Sequence, residues 1–275
     1  MDIGQIGGLG GVEQAIKRAA SATGVDFGFL MRTARRESGF DAGAHASTSS
    51  AAGLFQFVEQ TWLSTLKRHG PAHGYARYAD LISQGADGRF FVPQGAEARK
   101  TIMDLRYDPH AAATMAGELA SDHAAYLRGR VGREPTGGEL YAAHFLGPQG
   151  SARLIEAYNR NPNVTAATLL PDAAGANHGV FYHSGRALTV AEVYANLSRT
   201  GGDVAVQMAA ANDPGEGAFT AYAGAAHTER LKEEEMLVNF ILSDHDSGGG
   251  SPVNSMFSSE MLSLLSEART HRRVE

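Results

Sequence analysis

The sequence predicts a mainly helical protein, and two kinds of observation support this fold class. Apolar residues recur three or four positions apart in several segments, which is the spacing of one face of a helix. In addition, residues that typically cap helices stand directly before many of these segments. The chain has 275 residues, of which 43% are hydrophobic, so it can bury a core and form one domain of ordinary size with a substantial appendage.

The first predicted elements are two helices and a loop. Helical spacing predicts a helix over residues 12–22, which ends at Thr23-Gly24. Asp26 is the expected N-cap of a second helix, which carries Glu37 at its end. The small, polar residues 47–53 suit a short hairpin or loop better than a packed core.

A third helix is predicted over residues 59–67. It contains Trp62, for which a core position is favoured over a sugar-stacking role, and it stops at Gly70-Pro71. Residues 71–100 show little periodicity and predict an inserted, partly ordered loop over a cleft. Its candidate sugar-facing aromatic residues are Tyr75, Tyr78, Phe90 and Phe91. Residues 97–105 are expected to be helical.

Capping signals define the later helices. Asp108-Pro109 is a good N-cap and first-turn pair for a long helix. Residues 136–139 form a capping box for a helix that ends at Gly147-Pro148, and residues 189–192 form a second box. Another helix is expected over residues 151–158.

The chain changes character near residue 200. Residues 1–200 carry a net charge of +1, whereas residues 201–275 carry −7 and begin with a linker rich in Gly and Ala. A last amphipathic helix is predicted within 251–271. We therefore expect a domain over 1–200 and a flexible, helical, acidic tail over 201–275.

The composition excludes several classes of function. The nearly neutral 1–200 region lacks a field that would favour nucleic acid, and no apolar run approaches the ~20 residues of a membrane span. The chain has no cysteine, and a helical histidine pair at positions 69 and 73 is interrupted by Gly70-Pro71. We expect no metal and no cofactor. The first residues lack the features of a Sec signal peptide, so either the chain is exported by another route or its true start lies upstream; the export route stays open.

Glu37 has the expected properties of a general acid. The carbonyl groups at the end of its helix present negative charge, and nearby apolar residues are expected to wall it in; both disfavour ionisation and raise the pKa. These residues are Phe40, Leu54, Phe55 and Phe57. A carboxyl that is protonated near neutral pH can protonate the leaving oxygen of a glycoside. No second carboxyl stands out as its partner.

The residues around Glu37 resemble a known family. Residues 37–40 (Glu-Ser-Gly-Phe), Ser47 and residues 53–56 (Gly-Leu-Phe-Gln), with Thr61-Trp62 following, are similar to the Glu-Ser and Gly-Leu-Met-Gln motifs of the soluble lytic transglycosylase (SLT) domain. The resemblance is best over about 25–160. It implies a goose-type lysozyme-like helical domain with a small β or loop element lining the cleft. It also implies cleavage of peptidoglycan to 1,6-anhydro ends.

The resemblance implies roles for individual residues. Glu37 would act as general acid and then base, Ser47 and Gln56 would bind substrate, and Phe55 would lie beside the cleft. For Gln56, a buried amide bonded to the backbone is the alternative. Where the family has a Tyr-Asn pair this chain has residues 144–145 (His-Phe), with Tyr141 one turn earlier.

Several alternatives stay open. His144 is either a hydrogen-bond donor in the cleft or a core residue. Arg32, Arg35 and Arg36 are expected on a solvated face, with contacts to stem-peptide carboxylates as the alternative. The tail either docks on an export or appendage-apparatus protein through the 251–271 helix, folds back on the domain, or is disordered. The expected partner otherwise is the peptidoglycan strand, met in the periplasm or cell wall. The competing functions are a muramidase that uses water and a non-catalytic glycan-binding scaffold.

Overall fold

The structure, a computed structural model, describes residues 3–47 and 49–201 and is mainly helical. Eleven α-helices and two antiparallel pairs of two-residue strands lie in these ranges. In chain order they are α1 Ile3–Thr23, α2 Phe27–Ser38, α3 Glu59–His69, α4 Ala76–Ala79, β1 Ser83–Gln84, β2 Phe90–Phe91, α5 Ala96–Asp104, α6 Pro109–Val131, α7 Gly137–Arg160, α8 Ala166–Leu169, α9 Pro171–Ala176, α10 His178–Phe181, β3 Tyr182–His183, β4 Arg186–Ala187 and α11 Val190–Gly201. Single 3₁₀ turns occupy Gly70–His73 and Leu105–Tyr107.

The predicted caps are present at four helix starts. The Asp26 carboxylate accepts a hydrogen bond from the Phe29 amide at 2.7 Å, and Asp108 does the same for the Ala111 amide at 2.7 Å. Both reciprocal hydrogen bonds of the capping box form at residues 136–139 and again at residues 189–192. These local signals fix where α2, α6, α7 and α11 begin, because each supplies partners for amides that a helix start leaves unpaired.

One apolar cluster forms the centre of the protein. It is built by α1, α2, α3, α5, α6 and part of α7, with α1 packed along α6 and α6 packed on α7. Trp62 of α3 is completely buried in it, and its indole N–H donates to the Ile102 carbonyl of α5 at 2.9 Å. The core position predicted for Trp62 is therefore confirmed.

A second cluster lies where α8 to α11 pack against α7. The two helices α7 and α11 approach closely at Gly138, where a Cβ atom would lie 2.4 Å from the Ser198 Cα. Buried Glu139 of α7 also joins the two helices, because its carboxylate accepts a hydrogen bond from the Tyr194 hydroxyl of α11 at 2.8 Å. Helix α7 itself is broken at Gly147 (φ 73°, ψ 161°), as the Gly-Pro pair predicts.

Two predictions about the secondary structure were wrong: the start of α1 and the character of residues 71–100. Helix α1 begins at Ile3 rather than at residue 12, although the intervening glycines are weak helix formers. Residues 71–100 are not a loosely ordered loop: they form short helices and the β1–β2 hairpin. The Gln60 side-chain amide bonds the Phe90 main chain in both directions, at 2.9 Å each. Among the four aromatic residues expected to face a sugar, three pack partly buried on the core and only Phe91 is exposed, at 47%.

The predicted acidic tail and its 251–271 helix lie outside the described residues. Within residues 3–47 and 49–201, no helix combines the length and apolarity that crossing a membrane would require.

Candidate active site

Glu37 lies in the last turn of α2. The helix ends directly after it because Gly39 adopts a left-handed conformation (φ 62°) and its amide turns back to the Ala34 and Arg35 carbonyls. The Ser38 hydroxyl next to Glu37 donates to the Leu54 carbonyl at 2.9 Å. The end of α2 is thus joined to the loop over residues 50–57.

The carboxyl group of Glu37 is buried in an unusual way. The residue is only 6% exposed, and neither carboxyl oxygen has a hydrogen-bond partner among the residues that the structure describes. Burial raises the pKa of Glu37 well above its usual range, and the neighbouring Arg36 charge opposes this rise only in part. The group is therefore poised to be protonated at a pH where ordinary glutamates are ionised.

Apolar residues of the 50–57 loop pack beside this helix end. Leu54, Phe55 and Phe57 are completely buried and share the central cluster with Leu30 and Ala34 of α2. Water is excluded from this side of the helix, which is the physical cause of the raised Glu37 pKa. Leu54, Phe55 and Phe57 are thus buried beside α2, as expected, whereas Phe40 is only partly buried.

The loop requires a glycine at position 53. Gly53 has φ 77°, and a Cβ atom there would lie 1.8 Å from the Arg106 carbonyl oxygen. Its amide donates to the Ala44 carbonyl at 2.8 Å. Only glycine allows the loop to adopt this conformation against the 3₁₀ turn Leu105–Tyr107.

The first half of α7 faces the end of α2 through Tyr141 and Arg36. The Arg36 guanidinium lies over the Tyr141 ring, 4.2 Å from its centroid. Tyr141 is 2% exposed; burial raises its pKa, and the Glu37 charge raises it further while Arg36 lowers it. Three groups therefore interact here: a carboxyl, a phenol and a guanidinium.

His144 lies one turn further along α7 and is 8% exposed. Its ring is 6.3 Å from that of His123 on α6, nearly perpendicular to it. Burial lowers the pKa of His144 well below its usual value, and it lowers the pKa of His123 to about 4. Both imidazoles are therefore neutral near pH 7.

The structure does not bring every predicted residue to an open surface. The Gln56 amide donates to the Gly53 carbonyl at 2.9 Å and to the Ala44 carbonyl at 3.3 Å, so it braces the loop from inside. Phe55 is buried, whereas Ser47 is exposed. In this conformation Tyr141 lies within electrostatic reach of Glu37, and His144 lies within electrostatic reach of Arg36. Phe55 and Gln56 are buried within the 50–57 loop, and Ser47 precedes it.

Three other acids, which could be considered as partners of Glu37, have structural roles. Asp41 accepts from the Gly43 amide at 2.8 Å, Glu59 pairs with Arg99 at 2.6 Å, and Asp108 caps α6. None of them resembles Glu37 in burial, since all three are at least partly exposed. The site over the described residues thus offers one poised carboxyl.

The histidine pair considered for a metal is engaged with carboxylates of α6. His69 lies 3.1 Å from Glu118 and 2.9 Å from Asp122, and His73 lies 2.5 Å from Glu118. In the part of the chain that the structure describes, no group of three or more such side chains is arranged to hold a metal ion. These contacts join the end of α3 to α6.

Two arginines near the site were not identified from the sequence. Arg36 was expected on a solvated face with Arg32 and Arg35, which are indeed exposed, but Arg36 is half-buried over Tyr141. Arg106 is 8% exposed against the 50–57 loop. No local signal identified these two arginines, because Tyr141, which Arg36 contacts, and the loop carbonyls that Arg106 bonds are distant in sequence.

One comparison with known proteins bears on these residues. Residues 14–80 match a protein-family model described as the transglycosylase SLT domain. The match includes Glu37 and the 50–57 loop and stops before α6 and α7, so it is shorter at its C-terminal end than the resemblance seen in the sequence. The mainly helical architecture is consistent with the lysozyme-like fold of such domains. Residues 14–80 are therefore similar to the SLT domain of lytic transglycosylases, and this similarity indicates an activity on peptidoglycan.

Proposed function

We propose that the protein is a peptidoglycan lytic transglycosylase that cleaves the β-1,4 bond between MurNAc and GlcNAc and leaves 1,6-anhydro-MurNAc ends. The observation that carries the proposal is the Glu37 carboxyl, which is buried at the end of α2 with a raised pKa and without a hydrogen-bond partner in the described residues. Such a group keeps its proton at a pH where ordinary glutamates have lost theirs. It can then donate its proton to the glycosidic oxygen as that bond breaks.

A single acid is sufficient for this reaction. The N-acetyl group of the muramoyl sugar assists departure of the leaving oxygen, which takes the Glu37 proton. The C6 hydroxyl of the same sugar then attacks its C1, and the Glu37 carboxylate accepts the hydroxyl proton. Water is not consumed, and the acid returns to its starting state, in agreement with the presence of one poised carboxyl rather than two.

We assign supporting roles to the residues nearest to Glu37. Tyr141 interacts with the Glu37 charge and with Arg36, and we propose that its hydroxyl orients the carboxyl or the sugar. His144 is neutral, and it acts either as a hydrogen-bond donor in the cleft or as a core residue on the same face of α7 as Tyr141. Ser47 and the main chain around Phe55 and Gln56 are proposed to bind the glycan after local adjustment of the loop.

We further propose a catalytic domain over residues 1–200, which works in the periplasm or cell wall during assembly of a cell-envelope machine. The acidic 201–275 segment is proposed to recruit an export or appendage-apparatus protein through residues 251–271. The support is the charge contrast along the chain, from +1 to −7.

A muramidase is the second candidate, and residues 144–145 favour considering it. The family's Tyr-Asn pair is replaced there by His-Phe, so the group that would exclude or admit water differs. Mass spectrometry of digested, purified peptidoglycan separates the two reactions. Transglycosylation gives muropeptides lighter than the hydrolysis products by the mass of one water molecule and without a reducible end. Products with reducible ends would support the muramidase, and no cleavage at all would support the glycan-binding scaffold.

A further inference from the structure

Arg106 is a buried arginine that bonds main chain rather than a carboxylate. It lies in the 3₁₀ turn Leu105–Tyr107 between α5 and α6 and is 8% exposed. Its Nε donates to the Met103 carbonyl at 3.0 Å, which fixes the guanidinium on its own segment. Its Nη1 donates to the Ser50 carbonyl at 2.5 Å and to the Phe57 carbonyl at 2.9 Å. Among the residues that the structure describes, no acidic side chain forms an ion pair with it.

The two outer acceptors are the two ends of the 50–57 loop. One guanidinium nitrogen therefore bonds both the first and the last residue of the loop, and it holds these two ends together. The Arg106 main chain acts on the same loop, because its carbonyl oxygen occupies the space that a side chain at Gly53 would need. Burial lowers the pKa of Arg106, but a guanidinium stays charged in proteins, so these are charge-assisted hydrogen bonds.

The clamped loop is joined to the proposed catalytic acid. Ser38, the residue after Glu37, donates a hydrogen bond from its hydroxyl to the Leu54 carbonyl at the tip of the loop. The loop thus has two attachments, one to Arg106 at its base and one to the end of α2 at its tip. A shift at the base would be transmitted to the end of α2 and to the loop surface that faces substrate.

We propose that Arg106 is a positioning residue for this reaction: it holds the 50–57 loop in the shape that binds the glycan beside Glu37. The inference rests on the proposed function for its kinetic part and on the hydrogen bonds alone for its structural part. Lysine cannot replace the arginine fully, because its one ammonium nitrogen would have to serve both the Met103 carbonyl and the two loop carbonyls, which the guanidinium divides between Nε and Nη1.

The test compares R106K and R106Q with the wild-type full chain and with W62F as a matched control. Trp62→Phe also removes a buried hydrogen bond, to Ile102 in α5, but it keeps an aromatic ring against Phe57, the loop residue that the indole contacts edge-on. Steady-state cleavage of soluble, uncrosslinked peptidoglycan strands gives kcat and KM, and amide hydrogen exchange reports on the loop.

We expect kcat/KM of R106Q to fall by at least about tenfold, mainly through KM, with R106K intermediate, because a charge-assisted buried bond is lost. Exchange at the Ala52 and Phe57 amides, which bond each other's carbonyls across the loop, should accelerate in both variants. W62F should lose thermal stability while KM and loop exchange remain close to wild type.

The inference is overturned if R106Q keeps a wild-type KM, or if loop exchange is unchanged. It is also overturned if W62F shows the same rise in KM, since the effect would then follow general loss of stability. Absence of cleavage by the wild-type protein would instead reject the proposed function, and the exchange measurement would still decide whether Arg106 holds the loop.

Discussion

Replacing Glu37 with glutamine removes the proton that the proposed reaction needs and changes little else. The two side chains have nearly the same shape, and the carboxyl oxygens have no hydrogen-bond partner in the described structure that the change would remove. General acid catalysis contributes about 10²–10⁴ in rate. This corresponds to about 3–5 kcal/mol of the activation barrier. Glu37→Gln should therefore reduce clearing of purified peptidoglycan suspensions by at least about a hundredfold.

The same substitution should change stability in a way that depends on pH. In the unfolded chain glutamate titrates near a pKa of about 4.3, whereas burial raises the folded value well above this. Between the two values the folded state binds more protons than the unfolded state. The free energy of unfolding of the wild type therefore falls as pH rises, by about 1.4 kcal/mol per pH unit within that window. Glutamine has no such dependence.

Thermal unfolding of both proteins at several pH values from 4 to 8 measures this difference. The melting temperature of Glu37→Gln relative to wild type should rise with pH and level off above the folded pKa. Glu97→Gln, at an exposed glutamate of α5, serves as the control and should alter neither activity nor the pH trend. Folded Glu37→Gln with activity within a few-fold of wild type would refute the catalytic assignment. A constant difference in melting temperature would refute the account of the buried carboxyl.

Three further predictions concern residues around the site. Gly53→Ala should destabilise the protein by about 2–5 kcal/mol in urea unfolding, since it combines a positive φ with a clash against the Arg106 carbonyl. Arg36→Gln removes the charge that lowers the Glu37 pKa, so the alkaline limb of the pH–rate profile should move to higher pH; an unmoved limb would contradict the interaction. Burial alone would raise the pKa of Glu139, but hydrogen bonds from three donors lower it. Glu139→Gln should therefore cost about 2 kcal/mol at pH 7 in urea unfolding, and the loss should shrink as pH falls through the folded pKa of that carboxyl.

The sequence predicted the helices that have local start and stop signals. A capping residue and the amides that it bonds lie within four positions of each other, so Asp26 and Asp108 could be assigned without any knowledge of the fold. The start of α1 was missed because glycine is a poor helix former and intrinsic propensity is only a weak prior. The ordered 71–100 segment was missed because Gln60, thirty residues from Phe90, supplies its anchoring bonds.

In the candidate site, too, the features that depend on residues close in sequence could be predicted, and the contacts between distant residues could not. The position of Glu37 at a helix end and its apolar environment follow from residues close in sequence, and the direction of its pKa shift could be predicted from them. The contact between Arg36 and Tyr141 joins residues more than a hundred positions apart. Nothing in either local pattern distinguishes this pair from an exposed arginine and a core tyrosine.

The contact between Arg36 and Tyr141 also bears on the missing Tyr-Asn pair. Tyr141 is on the same helix as residues 144–145, one turn earlier, and it interacts with the Glu37 charge. A phenol that is buried, held under a guanidinium and close to the acid has the surroundings that a tyrosine orienting a catalytic carboxyl needs. A shift of one helical turn preserves the face of the helix, because residues three or four apart point in nearly the same direction. We therefore propose that the tyrosine is relocated rather than lost, and that the Arg36 contact holds it in the new position.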